Sequence, residues 1–164
     1  LKSISIEPSL IIFSATLHSF LTFLINLVIF FIIYLFSGLS VHVFLIGMLP
    51  LSLLLFVFVY GASLILSYLY LRVDDMDHIW DVTTQLLFWM TPVVYSLERI
   101  PAWFERFYML NPVSRYLVHG RSLFLYETVP ELKQIVITVL ITLAIIVVGL
   151  SVFRNQSRQF LERL

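Results

Sequence analysis

The sequence predicts an all-α, polytopic transmembrane protein: four spans, plus two short re-entrant or interfacial helices between the third and fourth. Three observations predict it. Of 164 residues, 60% are hydrophobic and 12% charged, with a mean hydropathy of +1.00, more apolar surface than a water-soluble domain of this size needs. Apolar stretches recur at the ~20-residue length that a ~30 Å hydrocarbon core requires of a helix. One segment between the last two stretches is too aromatic for water and too charged for the membrane core. Residues 1–164 therefore read as a single transmembrane domain.

The first span covers about residues 9–37, entered through Pro8, which suits a first helical turn, and left through Ser37 and Gly38. The second covers about 41–71, with Pro50 predicting a kink. Both exceed the length a span needs, so tilt or projection into water is expected. The third covers about 79–97. Asp81, Thr83, Thr84 and Gln85 fill its first turns, Pro92 interrupts its second half, and Trp80 and Tyr95 mark its ends as belt aromatics do. The fourth, about 135–153, is almost entirely Ile, Val, Leu and Thr.

Between spans three and four runs "IPAWFERFYMLNPVSRYLVHGRSLFLYETVPELK". Pro101 and Pro112 each stand where a short helix begins, and Asn111 with Pro112 breaks the segment in two. Two short amphipathic helices over about 101–126 follow, covered by protein or lining a cavity wherever their backbone lies at membrane depth. Residues 154–164 form a polar tail.

The chain opens on Leu1 rather than Met and has no signal-peptide pattern, which predicts a missing N-terminal portion. Ten basic residues balance ten acidic ones, which removes any argument for nucleic-acid binding. There is no cysteine, hence no thiol chemistry and no cysteine-ligated metal. With four spans both termini share a side with residues 72–81. Lys2, Arg72, Arg154, Arg158 and Arg163 lie there, against Arg99, Arg106, Arg115, Arg121 and Lys133 opposite, so charge counting leaves the orientation open.

Several polar residues are candidates for function. Arg72, Asp74, Asp75, Asp77, His78 and Asp81 crowd the start of span three. Carboxylates at four-residue spacing, as in Asp77 and Asp81, can hold a hard cation against a phosphate, the design of a magnesium-dependent intramembrane transferase. That design has a second carboxylate cluster facing the first, whereas spans one and four carry no carboxylate. A solvated connection able to dock a partner is the other reading.

Ser14, His18, Thr22 and Asn26 recur at four-residue intervals in span one, with Tyr34 continuing the series. Such a stripe faces protein or water rather than lipid, either packed against another helix or walling a polar pathway. Ser63 and Ser67 permit close helix approach in span two, and Tyr60, Tyr68 and Tyr70 suit either an aromatic belt or a ring-stacking channel wall. Arg115, His119 and Arg121 on the second short helix suit phosphate head groups or interfacial anchoring. The chain has no G-x-x-x-x-G-K-[ST], H-E-x-x-H or G-x-S-x-G. Any pumping therefore needs a separate motor.

The run "LRVDDMDHIWDVTTQLLFWMTPVVY", followed by "IP", by "LNP" and by Arg121 nine residues past that proline, resembles the membrane subunit of ABC-2 type exporters. The likeness is to the branch exporting O-antigen, capsule or teichoic-acid polysaccharide. Its motif residues correspond here to Asp75, His78, Phe88, Trp89, Thr91, Pro92, Tyr95, Asn111 and Pro112. Where the family has Arg immediately before the Asp, this chain has Asp74, with Arg72 two places earlier.

The resemblance implies that these four spans are the third to sixth of six, in the inner membrane, with 72–81 and the tail cytoplasmic and the short helices forming an outer gate. It implies a homodimer with two ATPase subunits, which bind the ATP and Mg that this chain does not, and a lipid-linked glycan as substrate. Arg72, Asp74, Asp75 and His78 become a coupling elbow. Ser14, His18, Thr22, Asn26, Trp89, Pro92, Tyr95, Asn111, Pro112, Arg115 and Arg121 become candidates for pathway or gate. Export of a drug or small lipid shares this architecture and stays open, as does the transferase.

Overall fold

The computed structural model describes residues 8–37, 43–93, 108–126 and 128–161. Among them every regular element is helical: α1 (Pro8–Phe36), a 3-10 turn (Val43–Gly47), α2 (Met48–Tyr70), α3 (Met76–Met90), α4 (Pro112–Phe124) and α5 (Leu132–Leu161).

Three helices have the length and apolarity to cross a membrane, over Ser9–Phe36, Leu45–Tyr70 and Leu132–Arg154. These are the expected first, second and fourth spans. The chain is thus a multi-pass membrane protein. The expected third span differs. Its helix begins earlier, at Met76, and closes at Met90 after 15 residues, about 22 Å, short of the ~30 Å core. Pro92 sets that end. A residue preceding proline is driven out of the helical region, and Thr91 sits at φ −93°, ψ 130°. The expected continuation to residue 97, the short helix from Pro101, and Tyr95 lie outside the described residues.

Pro50 produces no mid-span kink, because α2 starts at Met48 and puts the proline in the first turn, where a backbone N–H has no partner within the α-helix to lose. α5 runs past the predicted 153 and stays helical to Leu161, through part of the expected tail.

The core lies between α2 and α5, which run parallel with backbones in contact. A Cβ on Gly149 would stand 2.5 Å from the Gly61 carbonyl oxygen, and one on Gly61 would stand 2.8 Å from Ile146 Cα. Leu64 and Thr142 are fully buried beside them. Close approach thus occurs at Gly61, whereas Ser63 and Ser67 are only half-buried. α1 packs antiparallel on α2 through aromatic edges: Phe13 meets Phe56 at 6.0 Å and Tyr60 at 5.5 Å, and Phe20 meets Phe56 at 4.8 Å.

Candidate functional site

The polar groups that the fold gathers lie where α3 ends and α4 begins. Asn111 is the N-cap of α4: its Oδ1 accepts from the Val113 N–H at 3.0 Å, and Pro112 follows at the first helical position, where its missing N–H costs nothing. The other end of the same amide donates, Nδ2 to Thr91 Oγ1, at 2.9 Å. Thr91 Oγ1 passes its own proton to the Leu87 carbonyl at 2.6 Å. One buried side chain therefore starts one helix and ties it to the end of another.

From that corner α4 runs along α5. Arg115 Nη1 donates to Gln134 Oε1 at 2.9 Å, His119 Nε2 lies 2.9 Å from Thr138 Oγ1, and the Tyr116 hydroxyl bonds Thr142 Oγ1 at 2.5 Å. Each threonine hydroxyl has a single proton. Thr138 is placed to give it back to the Gln134 carbonyl at 2.9 Å, and Thr142 to the Thr138 carbonyl at 2.8 Å. Both oxygens then act as acceptors towards α4. This assigns the neutral His119 tautomer with its proton on Nε2.

Burial lowers the His119 pKa below the ordinary histidine value, and the neighbouring Arg115 charge lowers it further, against a smaller opposing pull from the Gln134 backbone. Burial also lowers Arg115 from the usual arginine range. Ser114 Oγ, Arg115 Nε and His119 Nδ1 are buried with no hydrogen-bond partner among the described residues. Farther along, Arg121 Nη2 donates to the Val93 carbonyl at 3.0 Å, a second tie between α4 and the end of α3.

The site residues expected from sequence fall into three places. Pro92, Asn111, Pro112, Arg115 and Arg121 come together at this corner, with Pro92 fully buried, whereas Trp89 on α3 is 71% exposed, its ring edge-on to Phe88. Ser14, His18, Thr22 and Asn26 are exposed on α1, on the side away from Phe13, Thr16 and Phe20, and do not join it. Thr22 and Asn26 bond back to the carbonyls of His18 and Thr22. Tyr34 leaves the stripe. Four-residue steps drift about 40° each, so five steps bring it to the packed face, where it is buried edge-on to Phe124.

Arg72, Asp74, Asp75 and His78 are exposed at the α2–α3 connection. The Arg72 guanidinium lies 4.6 Å from the centre of the Tyr68 ring, and Asp75 occupies the N-cap of α3 without a side-chain capping bond. Among the described residues no group of three or more His, Cys, Asp or Glu is placed to hold a metal ion.

The family model for the ABC-2 type transporter matches residues 4–125. The chain belongs to this family. The matched stretch contains α1 to α4, so the ladder from α4 to α5 joins it to the helix beyond. Two O-antigen export system permease proteins RfbA from Klebsiella pneumoniae are similar, at 31% and 29% identity over 108 residues, 66% of this chain and 41% of each relative. The chain thus spans about two-fifths of the length of the curated relatives it matches. No solved structure matches it.

Sequence reasoning missed the α5 side of the site. Gln134, Thr138 and Thr142 carry the same four-residue signal as α1, but two threonines in a run of Ile, Val and Leu read as ordinary span composition.

Proposed function

We propose that the chain is part of the permease of an ATP-driven ABC-2 exporter that moves a lipid-linked polysaccharide or polyol phosphate across the inner membrane. Family membership and the likeness to two O-antigen permeases support the class. The observation that carries the mechanism is the Asn111–Thr91 bond, which couples a helix ending short of a full span to a helix locked on α5.

In this reading α3 is the third span, interrupted at Thr91 and Pro92, and α4 is a re-entrant gate helix. Its C-terminal end reaches the end of the bundle shared by α1 and α2, where Phe124 meets Phe30 and Tyr34 and Leu123 lies against Gly47. The exposed elbow of Arg72, Asp74, Asp75 and His78 meets a separate ATPase subunit, which holds ATP and Mg. Displacement of the elbow travels along α3 to Thr91 and passes through Asn111 to α4. The permease acts as two copies, and the exposed stripe Ser14, His18, Thr22 and Asn26 walls the glycan pathway, because a polar stripe in a bilayer faces protein or water. Arg115 and Arg121 meet phosphate groups of the substrate.

Purification of the full-length protein from its native membrane, with mass spectrometry of the bound proteins, tests this. Recovery of a subunit bearing G-x-x-x-x-G-K-[ST], together with loss of surface glycan when the gene is disrupted, supports the exporter. Recovery without such a subunit, with surface glycan unaffected, removes it.

A further inference from the structure

Arg115 is a buried cation without a counter-ion. It is 9% exposed, its Nη1 donates to Gln134 Oε1 at 2.9 Å, and its Nε is buried with no hydrogen-bond partner among the described residues. No carboxylate there pairs with it, and burial lowers its pKa with no acidic group pulling it back up. Glu131, the carboxylate nearest to Gln134 in the chain, is exposed. His119, one turn along α4, brings no negative charge, and its own Nδ1 is unpartnered among the described residues. A buried guanidinium that faces only a neutral amide is poorly compensated, because the glutamine oxygen answers part of the donor fork and none of the charge.

The level of the contact decides what anion can reach it. Gln134 is the third residue of α5, whose spanning stretch begins at Leu132, so its backbone lies about 3 Å along the helix from that end. Phosphates carried on apolar chains sit at that level of a bilayer, at the edge of the hydrocarbon. Arginine meets a phosphate through two parallel charge-assisted bonds, which an amide oxygen cannot match.

Burial then sets the order of events. The guanidinium is sealed while it bonds Gln134, so a phosphate reaches it only after Arg115 leaves the amide. We infer that Arg115 exchanges Gln134 for a phosphate group carried on an apolar chain, and that this exchange opens the first rung of the ladder between α4 and α5. The inference rests on the reading that Arg115 meets phosphate, and it adds how that site is closed. Gln134 is a positioning residue: it competes with the phosphate for one cation, so closure of α4 on α5 and occupancy of Arg115 exclude each other. Its neutrality is what permits the exchange, since a carboxylate in its place would hold Arg115 permanently.

The test uses the full-length protein in dodecyl maltoside, where added ligand supplies the phosphate. The probe is radiolabelled dodecyl phosphate on immobilised protein, with dodecanol as its neutral control. Gln134→Met keeps the length of the side chain without its oxygen and should tighten binding about tenfold, the scale of one hydrogen bond to a charged group. Gln134→Ala makes the same comparison should the methionine variant fail to accumulate. Gln134→Glu should weaken binding about tenfold or more while raising the melting temperature, and Arg115→Gln should abolish binding. Opposite effects from two substitutions of one residue are not what a merely structural role would give. Competition by phosphatidylglycerol as strong as by unlabelled dodecyl phosphate assigns the phosphate to a membrane lipid, and weak competition assigns it to a lipid-linked substrate; the exchange stands in either case. Equal affinity in the native protein and the Gln134 variants, with Arg115→Gln inactive, overturns the exchange and leaves the phosphate reading of Arg115 intact. Binding no better than dodecanol in every variant overturns both.

Discussion

Asn111 and Thr91, twenty residues apart in sequence, share a buried hydrogen bond of 2.9 Å, and through it the start of α4 is fixed to the end of α3. The asparagine amide is used from both ends, as acceptor for the Val113 N–H and as donor to Thr91. Aspartate, of nearly the same size and shape, keeps the acceptor but has no N–H to donate.

Asn111→Asp should therefore separate the two roles. The carboxylate keeps the cap but cannot donate to Thr91, whereas Asn111→Ala loses both and costs about 1 kcal/mol for the cap alone. Thermal stability in detergent should fall in both variants, in Asp through a buried carboxylate and in Ala through the lost cap, and under the proposed function glycan export should be impaired in both. Export at native level in Asn111→Asp would show that the tie to Thr91 transmits nothing.

Gly149→Ala and Gly120→Ala should behave oppositely. The first drives a Cβ into the Gly61 carbonyl and forces α2 from α5, so membrane abundance should collapse. The second meets only Met48 Cε at 4.0 Å and gains helix propensity of up to about 1 kcal/mol. Comparable melting of the two variants would contradict the glycine contact.

Stability should fall with acidification through His119. Its folded pKa lies below the unfolded value of about 6.5, so between the two values the unfolded chain binds more protons and stability rises with pH. The contribution is complete above about pH 6.5 and is lost as pH drops through the folded value. Thermal melts across that window should show the slope in the native protein and a smaller one in His119→Gln, which can still donate to Thr138.

Asp75→Ala should spare the fold. The side chain is exposed and makes no capping bond, so the change in stability should stay within about 0.5 kcal/mol. Under the proposed coupling role, export should drop sharply at unchanged membrane abundance. A parallel loss of abundance would reduce Asp75 to a folding residue.

Much of the fold is written in local chemistry. Runs of ~20 apolar residues leave a helix as the only open structure able to satisfy its own backbone in hydrocarbon, which is why α1 was legible to within a residue and the apolar stretches of α2 and α5 were legible too, although α2 starts about seven residues later and α5 ends about eight residues later than expected. Asn111 before Pro112 announces a helix start, since both act on the first turn alone. Pro92 was legible as an interruption for the same reason, although a longer span was expected around it.

Tertiary structure decided what each polar side chain meets. Four-residue spacing predicts a face but not its neighbour, so the stripe on α1 came out exposed while Gln134, Thr138 and Thr142 on α5 received Arg115, His119 and Tyr116. Gly61 and Gly149 are unremarkable in sequence and become the closest approach of two helices once those helices run side by side. Composition and spacing act within one helix and its solvent, whereas hydrogen-bond partners and backbone contacts between helices depend on rotation and register, which only the packed assembly sets.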